Sequence, residues 1–170
     1  MTKRATVLAI IGGLSLSSPS YADLKLQFFE GAPKDRFVVA NIGSCDIEAA
    51  YVEIDFAASN AGLIFDVTGS GAGVEVFQPF EVTQGGQLLA DQPSISDGDQ
   101  RITLNLTSLP IKQSIAFTID VDDTAGTREI TVADGEMSGT TVSLHVADKT
   151  YTAVIETGAQ VTLEFPDCAL

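Results

Sequence analysis

Three aspartates in four positions, Asp120, Asp122 and Asp123, close the first half of "IAFTIDVDDTAGTREITV", residues 115 to 132. The stretch begins on a clean alternation of apolar and polar residues, the pattern of a strand with one buried face. A hairpin across "TAGT" that sets Asp123 opposite Arg128 also sets Val121 opposite Ile130 and Ile119 opposite Val132, so its apolar faces agree. The same register puts Asp122 opposite Glu129 on the outer face, with Asp120 one step away beside Thr131. Like charges opposed on a sheet destabilise it. A hard cation relieves this: calcium takes six to eight oxygens, and the carboxylates of Asp120, Asp122 and Glu129 with loop carbonyls and water would supply them. The plainer reading is a solvated acidic rim that keeps an edge strand from pairing with its neighbours, with Asp123 paired to Arg128. Calcium is the one cofactor the sequence suggests.

Other residues offer less specific chemistry. Gly69, Gly71 and Gly73 alternate within "GLIFDVTGSGAGVEVFQPFE", which reads as a hairpin whose loop carries little side chain. Glycines there permit positive backbone angles and close approach by a ligand or another chain; a plain turn is the alternative. Phe77 and Phe80 flank Pro79 and read either as a corner of the core or, with Gly71, as a ligand surface that stacks on sugar. His145 alternates with its neighbours in "SLHVA" and has no serine of a nucleophile elbow to serve. Asn105 heads the sequon "NLT" but sits inside a strand pattern. One histidine and two cysteines exclude most zinc sites, and there is no phosphate loop or basic groove. No catalytic residue is identified. The chain reads as a binding module rather than an enzyme, although a glycosidase-type acid pair could be hidden among 23 acidic residues.

The N-terminus sets the compartment. Lys3 and Arg4 precede an apolar run from Ala5 to Leu16, and Ser20 and Ala22 stand three and one residues before Asp23. This is the pattern of a secretory signal peptide over residues 1–22, and it is too short to span a membrane. Its loss removes two of nine basic residues and no acid, so the net charge moves from −14 to −16. Such a surface repels nucleic acid and anionic lipid and attracts cations. A secreted or periplasmic location suits Cys45 and Cys168 as one disulfide, closing a loop of more than a hundred residues worth roughly 5 kcal/mol.

The elements that must position these residues are strands. Short β-rich runs at 24–29, 36–42, 51–57, 62–68, 74–80, 101–107, 114–121, 128–133, 141–147, 151–156 and 160–165 alternate with Gly-, Asp- and Pro-bearing turns. About ten antiparallel strands at this spacing indicate a single-domain all-β sandwich over 23–170, Ig-like or jelly-roll-like. Leu24, Leu26 and Phe28, then Ile102, Leu104 and Leu106, then Ile115, Phe117, Ile119 and Val121, form its core faces.

"AGLIFDVTGSGAGVEVFQPFEV" (61–82) and "IAFTIDVDDTAGTREITVADGEMSGTTV" (115–142), with "GAPKDRF", "NIGSC" and the final cysteine, resemble secreted bacterial aggregation factor core proteins. Those are similar to a domain of the sponge aggregation factor core. The resemblance implies a secreted β domain with calcium- or carbohydrate-dependent adhesion, and a glycan or cell-surface protein as partner. The reading is therefore a secreted or periplasmic β-sandwich adhesion module. A polysaccharide-active hydrolase or lyase is the alternative, and a structural matrix component the third.

Overall fold

The computed structural model describes residues 22–31, 34–73, 76–125 and 131–165. Residues 1–21 of the expected signal peptide, Glu129 and Cys168 lie outside them. Ten strands follow one another along the chain: β1 (Ala22–Phe29), β2 (Asp35–Asn41), β3 (Ala50–Asp55), β4 (Ile64–Asp66), β5 (Glu81–Gln84), β6 (Arg101–Leu106), β7 (Ser114–Asp122), β8 (Thr141–Val146), β9 (Lys149–Val154) and β10 (Gln160–Phe165). They form two antiparallel sheets. One runs β10-β1-β2-β7-β4, with β5 also on β7, and the other runs β6-β3-β8-β9. The all-β sandwich is as the sequence pattern indicates.

Alternation decides which side chains enter the space between the sheets. Leu24, Leu26 and Phe28 of β1, Phe37 and Val39 of β2, and Phe117 and Ile119 of β7 meet Val52, Ile54, Ile102, Leu104, Val142 and Leu144 of the second sheet; all are buried. Phe37 is the hub: its ring stacks on Phe117 at 5.0 Å and lies 5.0 Å from Phe28. Among the described residues no helix is long and apolar enough to cross a membrane.

Three sequence expectations change. The run 74–80 is not a strand over its described part, because Pro79 has no N–H to give to a ladder; pairing resumes only at β5. The hairpin expected of 62–68 with 74–80 does not form: β4 pairs with β7, and so does β5, the next strand after the run. The hairpin register expected for 115–132 also fails where it can be read. Ile119 is opposite Asp35 of β2, and Asp120 is opposite Asp66 of β4, rather than Val132 and Thr131. Val132 is buried but not in a strand. Central β7 takes long-range partners on both sides, and two flanking strands satisfy its backbone more fully than one hairpin could.

Candidate metal centre

The end of β7 is covered on both faces, which the opening aspartates do not announce. Asp122 is fully buried, and Asp120 and Asp123 are each 4% exposed; the solvated outer rim is thereby overturned. The enclosure comes from the chain between β4 and β5. Gln78 donates its N–H to the Asp66 carbonyl (3.2 Å) and accepts the N–H of Asp120 (3.2 Å), so this segment lies across the place where β4 and β7 separate.

Because β4 and β7 are antiparallel with Asp66 opposite Asp120, those side chains share a face, and Asp122 shares it two residues along. The three carboxyls converge, each offering an oxygen within 4.8 Å of the others. Asp66 is 1% exposed, and neither of its carboxylate oxygens has a hydrogen-bond donor; Asp120 Oδ2 is likewise buried without one. Buried polar groups normally find a partner; beside Asp66 stands another carboxyl, Asp97, which can bond it only when one of the two carries a proton.

The electrostatics follow. Burial pushes the Asp66 carboxyl up to about 7, helped by its contact with Asp97 and by the charges of Asp122, Asp97 and Asp120. Asp120 also rises to about 7, from burial first and then the charges of Asp122 and Glu30. Asp35, 3% exposed beside the same strand, rises to about 8 through burial and neighbouring Glu30, against the N–H groups of Gly31 and Val121 that it accepts. Without a cation, such an arrangement holds protons near neutral pH.

The glycine-rich loop closes over the carboxyls. A Cβ on Gly73 would overlap the Asp66 carboxyl and lie 2.6 Å from Asp122 Oδ2; one on Gly71 would overlap Asp97 Oδ2. The close approach expected at these glycines is real, and what approaches is the protein's own carboxylates. Asp97 fastens the loop: Oδ1 accepts the N–H groups of Val67 (3.0 Å) and Thr68 (3.2 Å), and Oδ2 accepts that of Ala72 (2.8 Å). Burial opposes ionisation of Asp97, but the Asp66 contact and these three donors prevail and lower it.

Of the predicted ligands, Asp120 and Asp122 come together, while Glu129 falls outside the described residues. The partner that sequence reasoning missed is Asp66. Its signal was an acid inside the otherwise apolar strand "GLIFDV", but only strand pairing brings it to β7. Phe77 and Phe80 part company: Phe77 is 40% exposed and leans on Gly69, whereas Phe80 packs 5.0 Å from Phe117. Cys45 is disulfide-bonded rather than free.

Chemically, three enclosed carboxylates suit a hard cation with oxygen ligands. They are poorly placed to act as an acid–base pair on a substrate, because water and substrate alike are kept from them. No family model and no curated protein matches the chain.

Proposed function

We propose that the protein is a secreted or periplasmic β-sandwich binding module whose loop rim is organised by a calcium ion held by Asp66, Asp120 and Asp122. The observation that carries the reading is Asp66, buried with both carboxylate oxygens lacking donors and aimed at two further buried aspartates. A divalent cation would replace the missing donors and cancel the mutual repulsion. Calcium suits the site better than magnesium, because it accepts irregular oxygen geometry. Asp97 already fastens the loop 67–73 over the site, and an ion would tie Asp66 and the end of β7 to it, further stiffening a rim that carries Thr68 and Ser70, with Phe77 against Gly69. The resemblance to aggregation factor core proteins supports an adhesive role outside the cell, and a Cys45–Cys168 disulfide belongs to the same reading.

The test is thermal unfolding of the mature chain in millimolar calcium against chelator. Saturation at a hundredfold excess over Kd stabilises a protein by about 2.7 kcal/mol. For a chain of this size that raises Tm by roughly 5–10 °C. Superimposed curves would remove the ion from the account.

A further inference from the structure

The three carboxyls of the candidate centre have no open route to solvent. Asp122 is fully buried, Asp66 is 1% exposed and Asp120 4%, so a cation reaches them only if part of their cover moves. Most of the chain around them belongs to the backbone framework. Gln78 is tied by backbone hydrogen bonds to both Asp66 and Asp120, and Thr124 and Ala125, just beyond β7, donate theirs to the Ala61 carbonyl (3.0 and 2.9 Å). Bonds of that kind yield only when the sheet around them opens.

Segment 67–73 is held in another way. Among the described residues it takes part in no backbone-to-backbone hydrogen bond. Three of its N–H groups, those of Val67, Thr68 and Ala72, go instead to the single carboxylate of Asp97. The Phe77 ring braces it at Gly69, where an added Cβ would come within 2.8 Å of the ring. Residues 68–72 are exposed, and Gly73 is where the segment meets the carboxyls, too close to Asp66 to leave room for a side chain. Three of its seven residues are glycine, so its backbone can swing at little cost once Asp97 lets go.

We propose that segment 67–73 is a lid latched by Asp97, and that a calcium ion enters and leaves the site only when the latch opens. This presupposes the ion of the proposed function and adds how it is exchanged. An unobstructed site of micromolar Kd, filled at on the order of 10⁸ M⁻¹s⁻¹, would empty within about 10 ms. A hydrogen bond to a charged group is worth about tenfold in an opening equilibrium. The three at Asp97 slow entry and release alike by about a thousandfold, which stretches release to roughly 10 s and leaves Kd in place. The ion then acts as a retained structural part rather than as the trigger of a sensor. A chain loaded outside the cell keeps its rim ordered through brief falls in calcium.

The experiment mixes the calcium-loaded mature protein with excess fluorescent chelator in a stopped-flow instrument and follows release. Calorimetric titration gives Kd, and the release rate divided by Kd gives the rate of entry. Wild type should release calcium over roughly 10 s. Asp97→Asn, which keeps one carbonyl acceptor, should release it at least about tenfold faster. Phe77→Ala removes the brace without changing charge, and it should speed entry and release together by about fivefold with Kd nearly unchanged. A residue that only shaped the site would instead raise Kd through release alone. Circular dichroism checks that each variant is folded, and if Asp97→Asn is not, Phe77→Ala and the wild-type rate still decide. Wild-type release within about 10 ms, rates that Phe77→Ala leaves unchanged, or a change in its release alone would end the latch and leave the ion. A chain that takes up no calcium would end both.

Discussion

Asp66→Asn should stabilise the ion-free protein and abolish its response to calcium, and few substitutions at a fully buried residue would do both. At pH 8 the wild-type carboxyl is ionised against its surroundings, its value raised from 3.8 to about 7. That rise corresponds to about 4 kcal/mol of folded-state penalty. Asparagine is nearly isosteric and carries no charge, so the penalty disappears; its own amide, buried without assured partners, returns about 1–3 kcal/mol. The net gain in chelator at pH 8 is therefore about 1–3 kcal/mol, or a rise in Tm of roughly 2–10 °C for a chain of this length. In millimolar calcium the wild type should overtake the variant, because the asparagine amide offers one neutral oxygen where a carboxylate stood. Differential scanning calorimetry on both proteins, with and without calcium, reads all four values. A variant less stable than wild type in chelator, or one with an undiminished calcium shift, would refute the reasoning.

Two further outcomes follow. The folded-state values of Asp66 and Asp120 stand above their unfolded value, so the stability they contribute is present below about pH 4 and lost as pH rises towards 7. Protons and calcium compete for the same oxygens, and the calcium-induced rise in Tm should be largest near pH 8 and vanish near pH 5, as a calcium–pH grid of unfolding curves will report. Cys168→Ser should cost about 2–5 kcal/mol, and mass spectrometry of the mature protein should find no free thiol; two free thiols would end the proposed pairing.

Much of the architecture was legible in the sequence. Period-two alternation over 24–29, 36–42, 101–107 and 114–121, with turn residues between, is a local property, and each of these runs falls on a strand. The run 74–80 misled because Val74, Val76 and Phe77 have strand propensity, whereas Pro79 and the loop closure over Asp66 prevail. The hairpin over 115–132 misled for a different reason. Its faces agreed, but any strand with the same alternation satisfies that test, and β2, β4 and β5 were equally eligible partners for β7.

The acidic site divides along the same line. Asp120 and Asp122 stood out because they are close in sequence, and their shared face follows from the pleat alone. Asp66 lies 54 positions before Asp120 and Asp97 lies 31 after Asp66, and nothing local ties them. Burial was equally hidden, since three aspartates ending a strand read as solvated when no covering segment is known. The sequence by itself determined a strand-rich, acidic chain with carboxylates on one face of β7. The tertiary structure alone decided that β4 would pair beside them and that the glycine loop would close over them. That closure removes the water which would have screened their charges, and so turns a rim of acids into a candidate ion site.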